Sequence, residues 1–142
     1  MNYWLVKSEP ETFSIEDLEN EQVTRWDGVR NYQARNNLKA MKIGETCLFY
    51  QSVTKPAVIG TCTVVSEFYP DMSAEKPDTW VCVDLEMGIR FPNKISLSEI
   101  KADDMLSDMV LVKNSRLSVQ PVSKEEFDYI YSLGFKKAEI NQ

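Results

Sequence analysis

The 142-residue sequence contains no histidine. Histidine is the commonest general base near neutral pH and the commonest zinc ligand, so its absence excludes Ser-His-Asp and Cys-His catalysis and every metal site that needs imidazole. The sequence also lacks the phosphate-binding loops G-x-x-x-x-G-K and G-x-G-x-x-G. These absences favour a binding module over an enzyme, and we expect no catalytic residue, no metal and no cofactor.

Long hydrophobic runs and paired cysteines are absent as well. No apolar run reaches the roughly 18 residues that cross a bilayer, and the N-terminal MNYWLVKSEPE has no signal-peptide pattern. We therefore expect no membrane partner and a cytoplasmic protein, or a nuclear one in a eukaryote. Cys47, Cys62 and Cys82 are odd in number and lie in strand-like runs, which predicts buried reduced thiols rather than a disulfide framework.

The hydrophobic periodicity predicts a mixed α+β fold. Alternating apolar runs indicate about five or six strands, and S-x-x-D/E patterns at Ser14, Ser96 and Ser123 predict capped helix starts. We expect a small curled sheet or barrel flanked by helices, with Trp4 and Trp80 in the core. We expect one monomeric domain over residues 1–142, ordered at about 2–135, with the last eight residues frayed.

Positive charge is concentrated in one stretch, residues 24–42. This stretch carries a net +4 in a chain whose net charge is −6, so the remaining residues carry −10. An acidic protein with one basic patch is better suited to binding a polyanion at a single place than to sequence-independent coating of DNA. The alternative is that these cations simply pair with surface carboxylates.

Aromatic and amide side chains lie among the same cations, including Trp26, Asn31 and Tyr32. A flat heteroaromatic ring held in a pocket needs stacking faces and hydrogen-bonding groups at its edge. The same ingredients recur at residues 50–52 and 116–120. Composition thus predicts a pocket for a planar polar ligand; the alternative is ordinary strand alternation with solvent-facing polar groups.

Several motifs together resemble the EVE domain family over roughly residues 2–135: YWLVKSEPETFSIEDL, WDGVRNYQARNNLKAMKIGE, LFYQS and LSDMVLVKNSRLSVQPVSKEEF. The resemblance implies a PUA-like fold, a small curled β-barrel with helices around it, related to the YTH readers of methylated adenosine. It also implies recognition of modified nucleobases, methylated or hydroxymethylated cytosine among them, in a pocket beside the barrel.

Carried onto this sequence, the resemblance predicts a ligand-binding set: Lys7, Ser8, Glu9, Trp26, Gly28, Val29, Arg30, Asn31, Tyr32, Tyr50, Gln51, Ser52, Arg116, Ser118 and Gln120. We expect Trp26 to stack on the base and Tyr32 or Tyr50 to bound the pocket. Asn31, Ser52 and Ser118 are expected to bond to base edges. The expected phosphate contacts are Arg25, Arg30, Arg35, Lys39 and Arg116. Gln51 departs from the family, where many members have histidine, so pairing with a base edge is retained but pH sensitivity is lost.

The sequence thus predicts a non-catalytic reader of a modified base in DNA or RNA. A first alternative is an enzyme that acts on modified nucleosides or nucleic acid through Lys7, Glu9 or Asp27. A second is a module for a small metabolite or a protein partner, whose binding would ignore ionic strength.

Overall fold

A computed structural model describes residues 1–136. The strands are β1 (Tyr3–Ser8), β2 (Val23–Trp26), β3 (Thr46–Gln51), β4 (Ala57–Val64), β5 (Tyr69–Pro70), β6 (Val81–Ser96) and β7 (Val119–Val122). The helices are α1 (Ile15–Glu21), α2 (Tyr32–Ala40), α3 (Leu97–Ala102), α4 (Val110–Lys113) and α5 (Lys124–Gly134), with a 3-10 turn at Asp104–Leu106.

The strands form one mixed sheet in the order β2-β6-β4-β3-β1-β7, with β5 paired to β6. β1 and β3 run parallel, and the remaining pairs are antiparallel. The predicted α+β class is confirmed. Of the two expected forms, a small curled sheet or a barrel, the described residues form a sheet that is not closed and whose order ends at β2 and β7. The described residues form seven strands where about five or six were expected, and β5 is the shortest, with two residues.

The three predicted helix starts are confirmed. The hydroxyls of Ser14, Ser96 and Ser123 each accept a hydrogen bond from the backbone N–H three residues on. The carboxylate of the acidic residue there accepts one from the backbone N–H of the serine. α2 begins differently, because Asn31 caps it without a reciprocal partner. The inner face of α2 carries Ala34 and Leu38, which are fully buried.

Two hydrophobic clusters form the interior, and β1 contributes to both because its side chains alternate in direction. Trp4 and Val6 belong to the cluster beneath α2, and Leu5 belongs to the cluster beneath α5. The core position of Trp4 is confirmed. Trp80 is instead half-buried, so its assignment to the core was wrong. The three cysteines are buried and free, as predicted.

Close packing of β4 on β6 requires Gly60. A Cβ at this position would lie 2.4 Å from the carbonyl oxygen of Ile89, and the β4–β6 register shifts on both sides of Gly60. Gly60 thus lies at an irregularity in the pairing of β4 with β6. Gly88 lies inside β6, where a Cβ would meet the hydroxyl of Thr61 at 2.5 Å.

Fraying was expected for the last eight residues, and six of these, 137–142, lie outside the described residues. Among the helices of residues 1–136, none has the length and apolar character to cross a bilayer.

Candidate functional site

A cavity of ≈ 1320 Å³ opens where the parallel strands β1 and β3 end. Lys7 and Ser8 close β1, and Tyr50 and Ser52 lie at the matching end of β3. The third wall is the loop that follows β2, residues 27–31. Because β1 and β3 are parallel, side chains from two distant parts of the sequence meet at one edge of the sheet.

Most of the predicted ligand-binding residues lie together at this cavity. Its lining includes eleven of the fifteen: Lys7, Ser8, Glu9, Trp26, Gly28, Val29, Arg30, Asn31, Tyr50, Ser52 and Ser118. The structure does not place the other four in the lining: Tyr32, Gln51, Arg116 and Gln120. The agreement is best in the stretch after β2, where consecutive residues form one loop.

Two of the four excluded residues have structural roles instead. Gln120 is fully buried, and its amide nitrogen donates to the carbonyl of Leu117 at 2.8 Å. Its Oε1 has no partner in residues 1–136. The amide of Gln51 donates to the carbonyls of Thr54 and Lys55, at 2.7 and 3.3 Å. Gln51 therefore shapes the loop after β3 rather than facing a ligand.

A second group of cations and aromatic rings lies outside the cavity. The Tyr32 ring contacts the Trp80 ring at 4.9 Å between centroids, and the Arg35 guanidinium lies 5.0 Å above Tyr32. The ammonium of Lys39 lies 5.5 Å from the ring of Phe68. Of the expected phosphate contacts, only Arg25 and Arg30 line the cavity. Arg35, Lys39 and Arg116 lie away from it.

Trp26 forms part of the cavity wall, but most of its ring is buried. It is 8% exposed and makes edge contacts with Phe13 and Phe49, with centroids 6.0 and 5.8 Å away. Only a small part of the indole can therefore meet a ligand. Phe13, which the sequence reasoning missed, is half-buried and also lines the cavity, so it is the more accessible aromatic ring.

The loop after β2 is held from below by Asp71, a fully buried carboxylate that the sequence reasoning also missed. It accepts from the backbone N–H of Gly28 and the guanidinium of Arg30, each at 2.9 Å. It also accepts from the N–H and the hydroxyl of Ser73, at 2.8 and 2.5 Å. Gly28 has φ +80°, a conformation that glycine adopts without strain.

Burial alone would raise the pKa of Asp71, but the hydrogen bonds from Ser73, Gly28 and Arg30 outweigh it and lower the pKa to about 2. The carboxylate is thus charged at neutral pH and keeps the loop in place. The sequence around it, YPDMS, indicates only a turn.

The polar groups at the cavity differ in what they can still bind. The Asn31 side-chain oxygen accepts from the Ala34 N–H at 2.8 Å to cap α2, so its NH₂ group is the part left for a ligand. The hydroxyl of Ser8 donates to the carbonyl of Phe13 at 2.5 Å. Ser52 and Ser118 line the cavity with no side-chain hydrogen bond in residues 1–136.

Lys7 is the one lysine among the described residues of the cavity lining. Its ammonium donates to the carbonyl of Ser115 and lies 5.5 Å from the Tyr50 ring centroid. Burial lowers the pKa of Lys7 and raises the pKa of Tyr50. Both groups shape the wall between β1 and β3.

The charge of the lining is balanced. Lys7, Arg25 and Arg30 contribute three cations, and the anions are Glu9, Glu21 and Asp27. The net positive charge of residues 24–42 therefore does not extend to the described lining of the cavity. A neutral or weakly polar group suits such a lining better than a phosphate does.

The EVE domain family matches residues 2–133, and the chain belongs to that family. Human thymocyte nuclear protein 1 is 40% identical over 169 residues, which cover 96% of this chain and 75% of the human protein. The crystal structure of human THYN1 protein in complex with 5-methylcytosine containing DNA superposes with a TM-score of 0.89 at 39% identity. That match covers 96% of this chain and 99% of the human chain.

A more distant neighbour has the same fold. The YTH domain of Zygosaccharomyces rouxii MRB1 protein, solved with N6-methyladenosine RNA, has a TM-score of 0.59 at 12% identity, covering 98% of this chain and 90% of that one. The implied fold relationship to YTH domains is thereby supported.

Proposed function

We propose that this protein is a non-catalytic reader of a modified nucleobase, which it binds in the cavity at the ends of β1 and β3. The observation that supports this proposal most strongly is that a relative 39% identical over 96% of the chain was crystallised with DNA that contains 5-methylcytosine. The cavity of this chain supports the proposal because it combines aromatic surface with donors and acceptors in a balanced electrostatic setting.

The site's geometry suggests a division of roles. Phe13, Trp26 and Tyr50 supply the apolar wall against which a flat heterocycle can pack. The NH₂ group of Asn31 is oriented by the cap of α2 and can donate to a carbonyl or a ring nitrogen of the base. Ser52 and Ser118 can donate or accept on the remaining edge.

The first test is a panel of oligonucleotides, DNA and RNA, that carry cytosine, 5-methylcytosine, 5-hydroxymethylcytosine, adenine or N6-methyladenine. Fluorescence anisotropy at two salt concentrations would measure binding. We expect one modification to bind more tightly than its unmodified parent, with an advantage that persists at high salt. Equal binding of all members would contradict the proposal.

Asn31→Ser gives a sharper test of the site. Serine can still cap α2, so the fold is preserved, whereas the amide donor is lost. We expect the preference for the modified base to fall about tenfold, because one hydrogen bond to the base is lost. Trp26→Ala is the poorer variant because it removes a core side chain and threatens folding itself; Trp26→Phe keeps most of the packing.

The enzyme alternative has some support from position, because Lys7, Glu9 and Asp27 all line the cavity. The hydrogen bond from Lys7 to Ser115 and its place beside Tyr50 favour a structural role for that amine. Incubation with modified nucleosides and oligonucleotides decides the matter. Product formation that Glu9→Gln abolishes would replace the reader proposal with a catalytic one.

A further inference from the structure

A second hollow, of ≈ 610 Å³, adjoins the cavity, and Pro56 and Leu97 line both. The backbone N–H of Leu97 donates to the carbonyl of Pro56 at 2.9 Å, and Ala57 pairs with Ser96 between β4 and β6. The shared wall is therefore fixed by the sheet. We name this hollow the lysine groove because Lys55, Lys94 and Lys101 line it.

The lysine groove is positive in a chain whose net charge is −6. Within residues 1–136, none of its three lysines forms an ion pair. Glu99 is the one carboxylate among the described residues of the groove, and at the start of α3 it accepts from the N–H of Ser96 at 3.0 Å. Beyond Glu99 a third hollow is lined by Asp103 and Asp104, which end the positive surface.

A strained loop presents one residue to each hollow. Val53 and Lys55 have φ of 68° and 47°. These values lie in the left-handed region, which non-glycine residues rarely adopt and β-branched residues adopt least of all. Val53, 72% exposed, lines the cavity, and Lys55 lines the lysine groove. The two hydrogen bonds from the Gln51 amide to this loop hold it in shape. Strain of this kind persists where the surrounding structure fixes it, commonly at binding sites.

We propose that the lysine groove binds the phosphates next to the modified base, on the same strand whose base enters the cavity. This rests on the proposed function. The cavity lining is balanced in charge, and three of the five expected phosphate contacts lie elsewhere. Phosphate contacts supply much of the affinity of nucleic-acid binders. The lysine groove is a positive surface that continues directly from the cavity.

The test is a set of lysine variants of the full chain, Lys55→Gln, Lys94→Gln, Lys101→Gln and the triple variant. Binding to a single-stranded 5-methylcytosine oligonucleotide and to its cytosine counterpart is measured over a series of NaCl concentrations. Each lost phosphate contact should reduce the slope of log K against log salt by about 0.7. Affinity should fall about fourfold per contact at roughly 0.15 M salt. Both oligonucleotides should lose affinity equally, because a phosphate contact carries no information about the base.

Lys124→Gln is the matched control, because it removes the same charge from α5, at an exposed residue away from both hollows. An unchanged slope in the triple variant, or a fall no larger than in Lys124→Gln, would overturn the proposal. So would a parent protein that binds neither oligonucleotide. If the parent binds both equally but the slope still falls in the variants, the reader function fails and the phosphate site stands.

Discussion

Two buried carboxylates, Asp71 and Glu45, are both kept charged by hydrogen bonds, at two different places in the fold. Each is almost completely buried, and each has its pKa lowered because the N–H groups it accepts from outweigh the effect of burial. Glu45 accepts from the Trp4 indole at 2.8 Å and from two backbone N–H groups, at the end of β1 and β3 away from the cavity. Asp71 instead holds the loop that forms a cavity wall.

A buried carboxylate that accepts several hydrogen bonds can therefore stabilise the fold alone, or stabilise both the fold and a binding site. The partners of Glu45 are neutral and belong to the fold, so losing it should affect stability alone. Asp71 holds Gly28 and Arg30, which line the cavity, so losing it should affect stability and binding together. Substitution of each carboxylate in turn tests this distinction.

The largest effect is expected for Asp71→Ala. It leaves the Gly28 and Ser73 N–H groups and the Arg30 guanidinium without their acceptor, so the free energy of unfolding should fall by about 3 kcal/mol. Affinity for the modified oligonucleotide should also fall, about tenfold. Urea denaturation and anisotropy measure the two. Asp108→Ala, which removes an exposed carboxylate, is the control. Unchanged binding in a folded Asp71→Ala protein would contradict the role assigned to the loop.

Glu45→Ala should lower the free energy of unfolding by about 2 kcal/mol, because three N–H groups lose a charged acceptor. Binding, measured well below the unfolding midpoint, should match that of the parent. A loss of affinity comparable to that of Asp71→Ala would show that Glu45 also affects the cavity, which would contradict a purely structural role for it.

Lowering the pH should destabilise the parent protein more than it destabilises an Asp71→Asn variant. The folded pKa of Asp71, about 2, lies below the ordinary value of 3.8, so its contribution is complete above pH 3.8 and is lost as the pH falls through 2. Between those limits the parent should lose about 2 kcal/mol of stability that Asp71→Asn does not lose. Urea denaturation at a series of pH values checks this. Parallel curves for the two proteins would mean that Asp71 is not unusually acidic.

The smallest effect is expected for the charge pair itself. The Arg30 side chain is 39% exposed, so solvent screens its attraction to Asp71, and the pair should contribute less than about 1 kcal/mol. A double-mutant cycle of Arg30→Gln and Asp71→Asn measures the coupling energy. A coupling well above this value would shift the role of Asp71 from the Gly28 N–H to the guanidinium.

The sequence predicted the site best where its residues are consecutive. Gly28, Val29, Arg30 and Asn31 follow β2 directly, so a single motif brings them to the cavity. The sequence predicted the site less well within strands and helices, where neighbouring side chains point in different directions. Gln51 and Tyr50 are adjacent, yet only Tyr50 faces the cavity, because successive strand residues point to opposite faces. Tyr32 begins α2 and points outward onto Trp80.

Some parts of the site left little trace in the sequence. Asp71 lies 41 residues after Arg30, and only the fold brings the two within hydrogen-bonding distance. The lysine groove brings together Lys55 from the loop before β4, Lys94 from β6 and Lys101 from α3. No local pattern links them.

The sequence by itself determined the family, the α+β class, the helix caps and the absence of any imidazole chemistry, because these depend on local patterns or on residues that are simply missing. Only the tertiary structure decided which side chains share the cavity, that its charge is balanced, and that Trp26 is mostly buried. The physical reason is that such properties arise from distances between residues far apart in the chain, which the parallel pairing of β1 with β3 and the packing around it fix.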